Sequence, residues 1–195
     1  MSAKPVSRFS QPDLAGLPED VRERIVKVQE KSGFVPNVFL ALARRPEEFR
    51  AFFAYHDALM EKPGGLTKAE REMIVVATSA ANQCHYCVVA HGAILRIRAK
   101  NPLVADQIAI NYRKADITPK QRAMLDFALA VAGRSHEVGD AEIATLEAHG
   151  FGREDVWDIM AIAAFFAMSN RFANVADIPP NDEFYAMGRG EPERR

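Results

Sequence analysis

The chain has 195 residues and a mass of 21.6 kDa, which is enough for one substantial hydrophobic core. Its 25 basic and 26 acidic residues nearly cancel, and no long run of one sign occurs, so the charge pattern does not favour a nucleic-acid or anionic-membrane partner. The first thirteen residues lack the apolar segment of a signal peptide, and the longest strictly apolar stretch, 160–168, is short for a membrane span, so we expect a cytoplasmic protein with no membrane partner.

Helical periodicity recurs along the chain and no convincing strand pattern appears, so the sequence predicts an all-α fold. The first helix should carry an apolar stripe that begins at Val21, and it should end at Gly33. The second should begin at Pro46, because proline favours the first helical position, and it should stop before Pro63. The apolar face of this second helix contains Phe49, Phe52, Phe53, His56 and Leu59.

Two helix starts with the same pattern lie 51 residues apart. Thr67 with Glu70, and Thr118 with Gln121, each match the capping box, in which both side chains satisfy free backbone N–H groups at the helix start. Other matched pairs are Leu66 with Ile117, Arg71 with Arg122, Met73 with Met124, and Ala77 with Ala128. The pattern fits a duplicated helical hairpin, but capped amphipathic helices also look alike, and both interpretations stay open.

The remaining predicted helices fill the second half of the chain. The first capped helix is apolar almost all round over 73–81, which is typical of a buried helix. The second capped helix should reach about Arg134, Asp140 should cap a short helix, and a long apolar helix should follow over 154–175. The predicted organisation is a single domain, 1–195, with a helical arm (1–62), a core (63–188) and a frayed tail (189–195).

The only two cysteines, Cys84 and Cys87, lie three residues apart at the start of a helix that should run from a break at 82–83 to about Lys100. His91 follows one turn later. On a helix these three side chains fall within about 60° of one another, so two thiols and an imidazole share one face. This spacing indicates either a redox site or a metal site.

The redox interpretation fits the sequence better than the metal interpretation. Structural zinc usually takes four ligands as two pairs, and the other histidines, His56, His136 and His149, lie singly in different segments. A site of the two cysteines, His91 and one carboxylate remains an alternative. Attachment of c-type haem requires a histidine directly after the second cysteine, where Val88 stands. A helix start favours a thiolate, and two thiols at this spacing can close a disulfide after one is oxidised.

A base for this site should come from the preceding helix. Glu70 already serves the capping box, whereas Glu72 lies in an otherwise apolar helix, where a carboxylate is costly unless it has a partner or a function. The alternative is that Glu72 lies at the edge of the helix and pairs with Lys68 four residues earlier. We favour the functional role.

The segments 66–72 and 84–91 resemble the AhpD-like, carboxymuconolactone decarboxylase superfamily, and more narrowly its peroxidase-related alkylhydroperoxidase branch. That branch has a glutamate twelve residues before the first cysteine, then CxxC, then a histidine four residues after the second cysteine. Glu72, Cys84, Cys87 and His91 meet each spacing. The turn at 33–37 and the pair Asn170-Arg171 also resemble this group.

The resemblance implies an AhpD-like all-helical fold and the reduction of organic hydroperoxides, in antioxidant defence, without an organic cofactor or a bound metal. It implies that Glu72 is the ultimate base, His91 its relay, Cys87 the thiol that attacks the peroxide and Cys84 the resolving thiol. The helix dipole alone instead favours Cys84 as the more activated thiolate. Tyr86 stands where the best-known members carry histidine.

The expected partners follow from the same resemblance. A dithiol, or a lipoyl or thioredoxin-like protein, would reduce the disulfide, and the chain would form a trimer or hexamer. Several helices also look more apolar than one small core requires, which favours a homo-oligomer. His85, Tyr86 and His56 are candidates for lining the substrate pocket. The alternatives are a dithiol–disulfide oxidoreductase that passes electrons to a protein, and a Cys/His metal-binding protein.

Overall fold

The computed structural model describes residues 5–190, and within that range the chain is α-helical without a β-strand, which confirms the predicted all-α fold. One short 3-10 turn precedes the first helix and two others lie between helices. The helices are α1 (Glu19–Ser32), α2 (Asn37–Ala43), α3 (Pro46–Met60), α4 (Lys68–Ala81), α5 (His85–Ala99), α6 (Val104–Asn111), α7 (Pro119–Arg134), α8 (Asp140–Ala148), α9 (Arg153–Ala176) and α10 (Glu183–Ala186).

Most helix ends lie where the local sequence signals place them. Gly33 ends α1 in the left-handed conformation, with φ of 85°, and its N–H donates to the Gln29 carbonyl. Pro46 is the first residue of α3. Asp140 is the first residue of α8 rather than its cap, and Gly139 precedes the helix with its N–H held by Glu142 Oε2 at 2.9 Å. Glu142 therefore supplies the hydrogen bond at this helix start.

Three helices were absent from the sequence prediction. Helices α2, α6 and α10 have seven, eight and four residues, so none extends far enough to show a helical period in the sequence. Each is short and is held mainly by what it packs against, since isolated helices of this length are not stable in water.

Helix α4 lies at the centre of the bundle and packs against α5, α6, α7 and α9. Ile74, Val75 and Val76 on this helix have no exposed surface, which confirms that it is buried. A fully buried aliphatic side chain of this kind stabilises a fold by about 1.5–3 kcal/mol. The main core therefore forms around α4, and any polar group on its inner faces requires a partner within the protein.

Helix α9 is long enough and apolar enough, at a mean hydropathy of 1.3, to cross a membrane by length and composition alone. It packs instead on α4 and α7, and 56% of its most apolar window is buried. Its one buried carboxylate, Asp158, accepts a hydrogen bond from the equally buried Arg71 at 3.0 Å and also contacts Lys62. These contacts are those of a core helix.

The N-terminal helices α1 to α3 have an apolar cluster of their own. Its buried members are Leu17, Val21, Ile25, Leu42, Ala43, Phe49 and Phe53. Hydrogen bonds connect this arm to the C-terminal end of the chain. The Asn37 side chain donates to the Pro179 carbonyl at 2.8 Å, and the Asn181 side chain donates to the Val35 carbonyl at 3.0 Å. The end of α3 joins the main core.

The C-terminal segment packs on α5 through α10. Arg189, within the predicted frayed tail, pairs with Asp106 at 2.8 Å and donates to the Tyr185 carbonyl at 2.9 Å. The rest of that predicted tail, residues 191–195, lies outside the described residues.

Candidate active site

A tight connection between α4 and α5 places the dithiol. Helix α4 ends at Ala81, Gln83 adopts a positive φ of 53°, and the Cys84 N–H donates back to the Ser79 carbonyl at 2.9 Å. Cys84 is then the N-cap of α5, immediately before the helix, and Cys87 lies within the first turn. The Cys84 sulfur accepts the Cys87 backbone N–H at 3.4 Å, in the position that a serine or aspartate oxygen usually takes.

The two sulfurs lie 2.7 Å apart and both cysteines are buried. The hydrogen bond that Cys87 donates to the Cys84 sulfur holds the pKa of the Cys84 thiol below its usual value, and the Cys87 backbone N–H, Asn170 and the nearby His91 add to this effect against the desolvation of burial. The same hydrogen bond to Cys84, together with burial, raises the pKa of Cys87. Of the two thiols, Cys84 is therefore the one whose surroundings favour the thiolate form.

The buried Glu72 and the partly buried His91 form a hydrogen-bonded pair beside the dithiol. The Nδ1 atom of His91 lies 2.8 Å from Glu72 Oε2, and the Glu72 side chain is 3% exposed. Arg98 Nε lies 3.9 Å from the other carboxylate oxygen. The surface pair of Glu72 with Lys68 does not form, because Lys68 binds Glu61 at 2.6 Å instead.

Three polar side chains from α4 and α9 close the site on the other side. The Asn170 Nδ2 atom donates to Ser79 Oγ at 2.9 Å, and Asn170 Oδ1 accepts from Asn82 Nδ2 at 3.0 Å. Asn170 and Ser79 have no exposed surface, and Asn170 is one of the groups that lower the pKa of the Cys84 thiol. Sequence alone does not decide whether Asn170 hydrogen-bonds near the site or at a subunit contact, because its position depends on how α9 packs on α4. Arg171 turns outward and is exposed.

His56 approaches the site from α3, across an aromatic wall. Its ring centroid lies 6.3 Å from that of Phe166, and the Phe166 ring lies 4.8 Å from His91. Phe165 packs on the outer side of His56 at 6.2 Å. Burial lowers the pKa of His56, against the hydrogen bond with Asp57. His56 therefore lies behind the Glu72–His91 pair.

His85 and Tyr86 lie on the opposite side, against α10. Tyr86 is buried, its hydroxyl accepts the Val38 N–H at 3.4 Å, and burial raises its pKa. The exposed His85 ring contacts the Tyr185 hydroxyl at 2.8 Å. The three residues predicted to line a pocket are thus divided between the two sides of the dithiol, with His56 alone on the side of the acid–base pair.

The metal alternative depends on convergent ligands. Within residues 5–190, no group of three or more His, Cys, Asp and Glu side chains is arranged to hold a metal ion. The arrangement that is present provides two thiols, a carboxylate–imidazole pair and a buried amide, which are the groups of dithiol redox chemistry.

Comparison with known proteins places this site in a family. The family model of the carboxymuconolactone decarboxylase family matches residues 46–108, a range that contains the glutamate, both cysteines and the histidine. A solved structure described as an alkylhydroperoxidase AhpD core, an uncharacterized peroxidase-related protein from Ralstonia eutropha JMP134, is 70% identical, with a TM-score of 0.95 over 96% of this chain and 99% of that one.

Two further structures extend the comparison. An uncharacterized peroxidase-related protein from Silicibacter sp. TM1040 is 38% identical, with a TM-score of 0.91 over 97% of this chain and 99% of that one. The debrominase Bmp8, in complex with 2,3,4-tribromopyrrole, is 20% identical, with a TM-score of 0.75 over 95% of this chain and 96% of that one, and it shares the fold. A search of curated proteins gives no match.

Proposed function

Since the chain belongs to the AhpD-like, carboxymuconolactone decarboxylase superfamily, we propose that it is a thiol-dependent reductase of organic hydroperoxides. The observation that carries this proposal is the buried dithiol, with its sulfurs 2.7 Å apart, on the same helix as a histidine that is paired with a buried glutamate. The family and its peroxidase-related members support an enzymatic, antioxidant role.

The reaction begins with a thiolate at Cys84. Two hydrogen-bond donors contact this sulfur, the Cys87 thiol at 2.7 Å and the Cys87 backbone N–H at 3.4 Å, and each favours the anion over the thiol. The Cys84 thiolate attacks the terminal oxygen of the hydroperoxide, the S–O bond forms and the O–O bond breaks. The alkoxide that leaves takes a proton from the His91–Glu72 pair and departs as an alcohol.

Resolution follows within the pair. The Cys87 thiol loses its proton to the same His91–Glu72 pair, its sulfur attacks the Cys84 sulfenic acid, and water leaves as the disulfide forms. An external dithiol then exchanges with this disulfide and is itself oxidised, which restores both thiols. In this order Cys84 attacks and Cys87 resolves, the reverse of the order that the resemblance implies.

The burial of both sulfurs supports a small substrate. Thiol–disulfide exchange requires that the attacking thiol reach a sulfur atom, and Cys84 and Cys87 are 0% and 2% exposed. A protein disulfide would need a larger opening than a hydroperoxide. The same consideration favours a narrow reductant, such as a dihydrolipoyl group, over a broad protein surface.

The test is consumption of an organic hydroperoxide at neutral pH with excess dihydrolipoamide, for the wild type, Cys84→Ser and Cys87→Ser. Wild type should turn over repeatedly, and both variants should lose repeated turnover because each lacks one half of the disulfide. Cys87→Ser should still consume one equivalent and leave a sulfenic acid on Cys84, which dimedone traps and mass spectrometry locates.

Two outcomes would change the proposal. If Cys84→Ser instead accumulates the sulfenic acid on Cys87, the order of the cysteines is the one that the resemblance implies. If wild type forms the disulfide quantitatively but does not turn over peroxide, the hydroperoxidase proposal is wrong and the protein is a dithiol–disulfide oxidoreductase.

The homo-oligomer and the cytoplasmic location stay predictions. Helix α9 carries exposed apolar side chains, Trp157, Met168 and Val175, which are of the kind that an oligomer covers. Size-exclusion chromatography with light scattering would measure the mass of the particle.

A further inference from the structure

Arg98 is a charged side chain beside the Glu72–His91 pair, and the proposed reaction gives it no part. It lies on α5 two helical turns after His91, and because seven residues span about 700° of rotation, the two side chains share one face of the helix. The Nε atom of Arg98 lies 3.9 Å from Glu72 Oε1, while the Nδ1 atom of His91 lies 2.8 Å from Glu72 Oε2. The buried carboxylate therefore has a cation beside one oxygen and a titratable ring beside the other.

A chain of alternating charges holds Arg98 in place. Its Nη2 atom donates to Glu61 Oε1 at 2.8 Å, and Glu61 Oε2 accepts from Lys68 Nζ at 2.6 Å. The Arg98 side chain is 23% exposed, and the Glu72 side chain is 3% exposed. Arg98 therefore connects the exposed end of this chain of charges to the buried carboxylate.

The contact matters because Glu72 is buried. A carboxylate in such a place has lost most of its solvation, so its charged form depends on nearby positive charge and hydrogen-bond donors. A guanidinium stays protonated at every pH at which an enzyme works, so the charge that Arg98 supplies does not titrate. The proton shared by Glu72 and His91 does move in the proposed reaction. Arg98 therefore favours one protonation state of the pair over the other.

We propose that Arg98 is a positioning residue of the Glu72–His91 pair, and that its fixed charge favours the unprotonated pair, with Glu72 as a carboxylate and His91 neutral. In that state the pair can accept a proton from a thiol of the dithiol. Once the pair holds the proton, the same positive charge makes it a stronger acid toward the departing alkoxide. This inference rests on the proposed function and deepens it, since it assigns the residue that sets the pH range in which the pair works.

The other titratable groups around the pair do not supply this charge. His56 of α3 lies behind Phe166, which packs on the His91 ring at 4.8 Å from the side of α9. The two thiols at the start of α5 exchange protons with the pair. Lys68 of α4 is bound to the glutamate at the end of α3 instead. Arg98 is therefore the side chain that brings a permanent positive charge to the carboxylate.

The first experiment follows the protonation of the pair without peroxide. Imidazole signals of the reduced protein, labelled with ¹⁵N-histidine, are recorded by NMR across a range of pH, and His91→Gln identifies the His91 signal. In Arg98→Met, which keeps a long side chain but removes its charge, the midpoint of the pair's protonation should move up by about one pH unit. Arg98→Lys keeps the charge and should restore most of the wild-type midpoint.

The pH profile of hydroperoxide turnover is the second readout. If the pair takes up its proton at a higher pH, the acidic limb of the profile should shift upward by the same amount, so turnover well below the midpoint should fall about tenfold. The alkaline plateau should fall far less, because there the pair is unprotonated with or without Arg98. A merely structural loss would lower turnover to the same extent at every pH.

Two other variants keep the test decisive. Lys68→Met is the matched control: it removes one positive charge from the same chain of charges, but Lys68 contacts Glu61 and not Glu72, so the midpoint and the profile should stay close to those of wild type. Arg98→Gln is a second neutral variant, and its midpoint should shift in the same direction even if Arg98→Met does not fold.

The outcomes separate this inference from the proposed function. A midpoint that stays at the wild-type value in both neutral variants of Arg98, or that moves equally in Lys68→Met, would overturn the role of Arg98, whether or not the protein reduces peroxides. A shifted midpoint in a protein that never turns over peroxide would uphold the role of Arg98 and remove the hydroperoxidase assignment.

Discussion

Helices α4 and α7 begin with the same capping box and pack against one another, but the polar side chains that follow the box differ. Thr67 with Glu70, and Thr118 with Gln121, form the two boxes, and the Gln121 amide reaches the Glu70 carboxylate at 3.5 Å. Met73 and Met124 are both buried at the matched position. The two neighbouring helices therefore begin with the same local structure.

The inner positions of the two helices then diverge. Where α4 has Glu72 and Ser79, the positions 51 residues later in α7 hold Ala123 and Ala130, and the position that matches Cys84 is Ser135. Each of these two polar side chains of α4 has a partner from another helix, His91 for Glu72 and Asn170 for Ser79. The comparison teaches that a buried helix carries polar groups where its neighbours supply partners, and alanine elsewhere.

The matched arginines show the same contrast. Arg71 is 1% exposed and binds Asp158 at 3.0 Å and the Leu59 carbonyl at 2.6 Å. Arg122 is half-buried and donates only to backbone carbonyls of the segment before α7, those of Tyr112, Arg113 and Ile117. Arg71 is therefore part of a buried charge pair, whereas Arg122 binds the backbone of the loop before α7.

The largest effect is expected from a change at Glu72, the buried carboxylate of α4 whose matching position in α7 holds alanine. Glu72→Gln keeps the shape of the side chain but removes the base, so peroxide turnover should fall by about 10²–10⁴-fold, the usual range for loss of general acid–base catalysis. Glu70→Gln is the matched control, because the α7 box already carries glutamine at this position, and it should keep nearly full activity. Equal activity of the two variants in the hydroperoxide assay would contradict the role of Glu72.

The next largest effect is expected in the free energy of unfolding when each of the two arginines is replaced. Arg71→Ala leaves Asp158 buried without its main partner, and the free energy of unfolding should fall by about 3–5 kcal/mol. Arg122→Ala should cost about 1 kcal/mol, since the carbonyls it leaves lie nearer to water. Urea unfolding followed by circular dichroism measures both. Losses of similar size would show that the two halves depend on their arginines alike.

The capping boxes should behave as equals. Thr67→Ala and Thr118→Ala each remove the hydroxyl that accepts the backbone N–H of the third helical residue, and each should lower the free energy of unfolding by about 1 kcal/mol. Both variants keep Glu70 and Gln121, so Thr67→Ala and Thr118→Ala serve as controls for each other. A difference well above this value between the two variants would show that the matching helix starts are not energetically equivalent.

The smallest expected effect is a pH dependence of stability that comes from His56 of α3, which lies behind the Glu72–His91 pair. Burial lowers the pKa of His56 from 6.5 in the folded protein, so below about pH 6.5 the unfolded chain binds a proton more readily than the folded one. The contribution of His56 to stability is therefore greatest above this pH and declines as the pH falls. Urea midpoints should fall less from neutral to mildly acidic pH in His56→Gln than in wild type; identical pH profiles would contradict this.

Most of the fold could be predicted from local signals. Gly33, Pro46 and the two threonine capping boxes mark helix ends through backbone chemistry that acts within four residues, and these ends lie where expected. The short helices α2, α6 and α10 could not be predicted, because their stability comes from what they pack against. The cap of α8 was misplaced by one residue, since Glu142 rather than Asp140 provides the hydrogen bond.

For the site, the sequence by itself determined the groups that lie on or near one helix: Cys84, Cys87 and His91 by their spacing, and Glu72 by its isolation in an apolar helix. Tertiary structure alone decided the rest. The packing of α9 on α4 brings the Asn170 amide to Ser79 and Asn82 from more than eighty residues away. Spacing along one helix is fixed by its repeat, whereas contacts between helices depend on how whole faces pack, which local sequence does not encode.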